Sequence, residues 1–221
     1  MSLRIAVVDD HQLFAETLVL ALEQEGYPTR RFAVPLRPVG AEGLLGEIAD
    51  FHPAIALVDL DLGPFGSGLR LVRPLADAGV AVLVLTSAPR SQWGECLLHG
   101  ASRVVAKTTA LHDILENVGR LSRHEVVLAP GEYEELVEQW ESSERAAADL
   151  RARFAVLSTR EQEVLDQLME GRTARDIAQR WVVSEATVRT QISAILGKLE
   201  VSSQLAAVVL ATQAGWRLRR E

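Results

Sequence analysis

Leu3-Arg4-Ile5-Ala6-Val7-Val8-Asp9-Asp10-His11 opens the chain as an apolar run, broken only by Arg4 and ended by two acids. A run this short, bounded by polar residues that favour turns, reads as a buried strand. Four more such runs follow, at 27–33, 54–58, 80–85 and 103–106, and they alternate with helix-length segments at 11–25, 39–50, 67–78, 90–99 and 110–122. Strand and helix alternating five times predict an α/β fold with a doubly wound, five-stranded parallel sheet covered on both faces. Asp10 stands where the first helix would take its N-cap. Pro35, Pro38, Gly40, Gly43 and Gly46 work against the second helix.

With 221 residues, 48% hydrophobic and 24% charged, the chain has the size and composition of one large or two smaller soluble domains. Its longest apolar runs, 80–85 and 205–211, fall far short of the ~20 residues that cross a bilayer, so a cytoplasmic protein without a membrane partner is expected. Cys96 has no second cysteine to pair with and reads as a buried apolar thiol. The net charge of −7 is unevenly spread. Residues 1–123 hold 11 Lys and Arg against 14 Asp and Glu, residues 124–153 hold 3 against 8, and residues 154–221 hold 9 against 8. Only the last segment could meet a polyanion comfortably.

In an open parallel sheet, ligands bind outside the carboxyl ends of the strands. The residues there are Asp9 and Asp10, Asp59, Thr86 and Ser87, and Lys107. Crowded carboxylates repel unless a cation sits among them, and hard oxygen ligands suit Mg²⁺. Lys107 is one of only two lysines among 23 basic residues, and a compact ammonium fits a point contact to a phosphoryl oxygen. Taken singly, Asp10 could be a cap, Thr86 a strand-end residue and Lys107 a solvated charge. Five such residues at successive strand ends argue for a site.

Val7-Val8-Asp9-Asp10-His11, Leu57-Val58-Asp59-Leu60, Leu85-Thr86-Ser87 and Ala106-Lys107-Thr108 resemble the four signatures of receiver domains, the CheY-like fold, over residues 3–122. The resemblance implies that Asp59 accepts a phosphoryl group from a sensor histidine kinase. Asp9, Asp10 and Asp59 would hold Mg²⁺ together with the backbone carbonyl of Asp61, and Thr86 and Lys107 would sense the phosphoryl group. Two departures stand out. The loop Leu62-Gly63-Pro64-Phe65-Gly66-Ser67-Gly68 is one residue longer than the usual Met-Pro-Gly-like loop, and Val104 occupies the position, three before the lysine, where the family commonly has a switching Tyr or Phe.

Beyond Arg123 the strand signals end, and 132–153 reads as one acidic helix. Its stripe of Tyr133, Leu136, Trp140, Ala147, Leu150 and Phe154 could pack on a neighbouring domain or form a short dimer coil. Ser158-Thr159-Arg160-Glu161 is a capping box that starts a helix stopped near Gly171. Thr173 and Ser184 cap two more, the last carrying Val188, Ile192, Ile195, Leu196 and Leu199 at core spacing. Its other face displays Arg189, Thr190, Ser193 and Lys198, groups suited to base edges and phosphates in a major groove.

The order Leu157-Ser158-Thr159-Arg160-Glu161-Gln162-Glu163-Val164-Leu165, then Gly171, Ile177-Ala178 and residues 184–199, resembles the NarL/FixJ (LuxR-type) helix-turn-helix domain over about 157–213. The resemblance implies an all-α domain that binds double-stranded promoter DNA as a homodimer. Arg189, Thr190 and Ser193 would face bases, and Thr187, Gln191 and Lys198 would approach phosphate. The expected organisation is a receiver at 1–123, a helical linker at 124–153 and a DNA-binding domain at 154–221. The two resemblances together imply a non-enzymatic DNA-binding response regulator of a two-component phosphorelay. One alternative keeps the DNA binding but controls the receiver by ligand or protein contacts. A more distant one is a haloacid-dehalogenase-like phosphatase built on Asp59-Leu60-Asp61.

Overall fold

The computed structural model describes residues 3–36 and 40–216, so Val39, the first residue of the expected second helix, lies outside the described residues. The chain divides into two compact units, Met1–Ser142 and Ser143–Glu221.

The first unit contains strands β1 (Ile5–Val8), β2 (Thr29–Phe32), β3 (Ile55–Asp59), β4 (Ala81–Thr86) and β5 (Arg103–Ala106). They form one parallel sheet in the order β2-β1-β3-β4-β5. Helices α1 (Gln12–Gln24), α2 (Glu42–Phe51), α3 (Leu69–Asp77), α4 (Trp93–Leu98) and α5 (Leu111–Ser122) connect the strands and follow the last one. β1 and β3 are buried along their whole length, which explains why they read as unbroken apolar runs. The side chains still alternate between faces: Ala6 and Val8 join the core that includes Leu44, Leu71 and Leu97, while Ile5 and Val7 join the opposite one with Leu18 and Ile114. β2 lies at an edge, and its exposed Arg30 puts charge where an open strand would otherwise invite pairing.

Some expectations need correction. Asp10 does not cap α1; His11 occupies that position without a side-chain bond, because the Asp10 carboxylate is engaged by the His11 ring instead. The expected helix at 90–99 is shorter: Arg90–Gln92 form a 3-10 turn ahead of α4. Cys96 is buried as expected, and burial pushes its thiol up to about 12.

Helix α6 (Glu132–Ala155) is divided between the units. Its stripe is divided too, since Leu136 is buried in a core of the first unit, whereas Leu150 and Phe154 pack in that of the second. The second unit continues with α7 (Thr159–Met169), α8 (Ala174–Trp181), α9 (Glu185–Leu199) and α10 (Gln204–Gln213) around Val164, Leu165, Ile177, Ile195 and Leu199. Ser158, Thr173, Ser184 and Ser203 each accept a backbone N–H at a helix start, and the first two form complete capping boxes.

Candidate functional site

The strand order reverses between β1 and β3, which makes the carboxyl ends of these neighbours the natural crevice of the sheet. Val8 pairs with Val58, so Asp9 and Asp59 emerge side by side, 1% and 2% exposed. Thr86 ends β4, and the Lys107 N–H donates to the Thr86 carbonyl, bringing the lysine to the same edge. The Lys107 ammonium lies 2.7 Å from Asp59 Oδ2 and 2.8 Å from Asp9 Oδ2. Asp10 and His11 complete the cluster: His11 Nδ1 is 2.8 Å from Asp10 Oδ1, and a ligand atom from each of Asp9, Asp10, His11 and Asp59 falls within 4.8 Å of the others. His11 was not assigned a role from sequence, although its place directly after the acid pair puts it at the rim.

The electrostatics are those of buried carboxylates crowded around one ammonium. Burial, reinforced by Asp9, holds the Asp59 carboxyl above its ordinary value, although the hydrogen bonds from Lys107 and the Asp61 N–H pull the other way. Burial works against the Lys107 charge as well, but its bonds to Asp59 and Asp9 outweigh that and keep the ammonium firmly protonated. Asp9 Oδ2 meets Lys107 as an ion pair and is otherwise, among the described residues, a buried oxygen without a hydrogen-bond donor. An oxygen-rich set with such an orphan fits a hard divalent cation. The Asp61 carboxylate accepts the Gly63 N–H at 3.1 Å.

The longer loop is shaped by this crowding. A Cβ at Gly68 would run into the Asp59 carbonyl, and one at Gly63, where φ is +55°, would lie 2.8 Å from Asp10 Oδ2. Phe65, between them in the chain, is buried and anchors the loop in the core. Thr86 Oγ1 accepts the Ala88 N–H at 2.9 Å, and Val104 is buried in the core below.

In the second unit, α9 presents Thr187, Arg189, Thr190 and Ser193 to solvent, with Gln191 half-buried. Arg189, 67% exposed, donates to Glu185 Oε1 from Nε at 3.0 Å and from a terminal nitrogen at 2.6 Å. Thr190 Oγ1 donates to the Ala186 carbonyl, and Thr187 Oγ1 lies 2.8 Å from Ser184 Oγ. Lys198, 41% exposed, donates at 2.6 Å to Glu161 Oε2, the carboxylate that also accepts the Ser158 N–H. The lysine thus ties the end of α9 to the start of α7.

Burial opposes the Glu161 charge, yet the bonds from Lys198 and Ser158 prevail and hold the carboxyl below its ordinary value. A carboxyl depressed in the folded state gives stability that is present above its unfolded value and lost as pH falls through the folded one. Acid titration should therefore weaken the second unit below the usual glutamate range. Glu161→Gln keeps the shape of the capping box but not its charge, and should cost about 1–3 kcal/mol at neutral pH while flattening that acid dependence. Thermal melts of the two proteins across pH read both effects, and parallel curves would refute the assignment.

An acid cluster with a lysine at the switch point of a parallel sheet, joined in one chain to a helix-turn-helix bundle, defines the class of two-domain response regulators. Comparison with known proteins agrees. Residues 155–211 match the family of bacterial regulatory proteins, luxR family. The chain is 30% identical to the transcriptional regulatory protein DegU of Brevibacillus brevis, over 97% of this chain and 94% of that protein. It is 26% identical to the response regulator protein VraR of Staphylococcus aureus, over 96% and 98%. A solved structure of the RcsB response regulator of Salmonella typhimurium is 19% identical, with a TM-score of 0.49, covering 96% of this chain and 99% of that one. The chain belongs to the response regulators with a luxR-type helix-turn-helix domain.

Proposed function

We propose that the chain is a cytoplasmic transcription regulator whose DNA binding is controlled by phosphorylation of Asp59. The receiver comprises 1–123, the linker 124–153 and the DNA-binding domain 154–221. The observation that carries the reading is the convergence of three separate strand ends, with Asp9 and Asp59 both within hydrogen-bonding distance of the Lys107 ammonium.

Asp59 supplies the nucleophilic oxygen, which attacks the phosphorus of a sensor kinase's phosphohistidine while the bond from phosphorus to the imidazole nitrogen breaks. Asp9, Asp10, Asp59 and the Asp61 carbonyl are the ligands that would hold Mg²⁺, which when bound offsets the negative charge gathered on the phosphoryl oxygens. Lys107 supplies fixed positive charge to the same oxygens, and Thr86 turns its hydroxyl toward one of them. On α9, Arg189, Thr190 and Ser193 read base edges, while Thr187, Gln191 and the ammonium donors that Lys198 does not spend on Glu161 approach phosphates. Two copies related by two-fold symmetry would contact half-sites about one helical turn, ~10 base pairs, apart.

Footprinting of the full chain across promoters of its source genome, before and after acetyl phosphate treatment, should reveal paired protected half-sites at that spacing. Protection should strengthen after treatment. No footprint in either state would reject the reading.

A further inference from the structure

The face of the first unit that follows Thr86 carries a connected set of contacts. Thr86 Oγ1 accepts the Ala88 N–H at 2.9 Å, and the Ala88 carbonyl in turn accepts the Trp93 indole N–H at 3.1 Å. The Arg90 guanidinium stacks 5.5 Å from the Trp93 ring and reaches Glu132 and Glu135, at 3.8 and 3.9 Å, in the first turns of α6. Arg103, from β5, donates to Glu132 Oε2 at 2.5 Å, and the same carboxylate caps the helix start by accepting the Ala129 N–H. Beside these ion pairs, α6 lies directly on α4. A Cβ at Gly94 would collide with the Leu136 carbonyl and come within 2.8 Å of Trp140 Cβ, while Leu136 itself is 1% exposed.

We propose that the first turns of α6 form a latch, seated on α4 and β5 by Arg103, Arg90 and the glycine notch at Gly94, whose release reports the state of Asp59. The inference rests on reading Asp59 as the phosphoacceptor. The physical route is short. A Thr86 hydroxyl that turns toward a phosphoryl oxygen gives up the Ala88 N–H. Ala88 then loosens its hold on Trp93, and Arg90 loses the ring and geometry that aim it at Glu132. Val104 has no ring to swing, so a signal from Thr86 needs another path, and Trp93 is the aromatic side chain bonded to the strand-end loop. The latch is also incompletely satisfied, because Arg103 Nε is buried without a hydrogen-bond partner among the described residues. A half-satisfied polar network is one that a modest change can open.

Hydrogen exchange of residues 132–142 in the full chain tests this. Arg103→Glu, which sets like charges together, and Gly94→Ala, which fills the notch without touching a charge, should each speed exchange there about fivefold. The double variant R103E/E132R should exchange more slowly than R103E alone. Beryllium fluoride with Mg²⁺, as a phosphoryl analogue, should speed exchange of 132–142 in the wild type while protecting 59–68, and should add little to R103E. Unchanged exchange in R103E and G94A, a double variant as fast as R103E, or analogue binding that protects 59–68 but leaves 132–142 unaltered would each overturn the latch. Failure to protect 59–68 in any sample would count against the Asp59 reading instead, and the latch would then be judged on the charge reversal alone.

Discussion

Incubation with acetyl phosphate and Mg²⁺ is expected to add a single phosphoryl group to the full chain, and Asp59→Asn is expected to remove that increment entirely. The loss should be all or none because the amide has no nucleophilic oxygen to offer, whereas Asp9 and Asp10 are proposed as ligands of the cation. Asp59 is also the carboxylate that takes the shortest contact from Lys107, at 2.7 Å, and it receives the Asp61 N–H at 3.1 Å, so its two oxygens are held in a fixed direction. Lys107→Ala should retain a slower increment, since it removes charge that the phosphoryl oxygens need but not the nucleophile. Intact mass, followed over time, separates these outcomes. An increment that persists in D59N would relocate the phosphoacceptor, and none in the wild type would favour control of the receiver by ligand or protein contacts.

Arg189→Ala should have the largest effect on DNA. The guanidinium projects from the middle of the exposed α9 face and is steadied by Glu185, one turn before it, rather than buried. Releasing that exposed pair costs little, so the side chain is free to exchange Glu185 for the edge of a guanine. A lost bidentate base contact is worth about 1–3 kcal/mol, which corresponds to a roughly 5- to 150-fold weaker affinity and relaxed preference at one base position. Thr187→Ala should instead weaken binding modestly and evenly across all sequences while leaving its salt dependence unchanged, because a hydroxyl bonded to phosphate displaces no counterion. Titration of the footprinted fragment and of single-base variants at two salt concentrations distinguishes the two behaviours. Equal losses on every sequence would make Arg189 a phosphate contact.

Much of the fold is legible in the sequence, for reasons that lie in local chemistry. Strands buried on both faces must be apolar throughout, so β1, β3 and β4 declare themselves as short runs, and the turns after them must carry the polar residues. The caps at Ser158, Thr173 and Ser184 were readable because each satisfies backbone donors only three residues away. Contacts that depend on the assembled fold are not legible in this way. Asp10 looks like a cap for α1, but at the crowded strand ends its carboxylate meets the His11 ring instead. Lys198 reads as a phosphate contact, and the fold adds a partner for it in Glu161, 37 residues earlier in the chain.

The sequence by itself determined the order of elements, the division into an α/β part and a helical part, and the residues at the strand ends, because burial and hydrogen-bond demand act over a few neighbouring positions. Only the tertiary structure decided that Lys107 bridges Asp9 and Asp59, that Gly68 must clear the Asp59 carbonyl, and that Glu132 meets both Arg90 and Arg103. Those facts depend on which strands become neighbours and on angstrom-scale distances between residues tens of positions apart, and no local pattern encodes them.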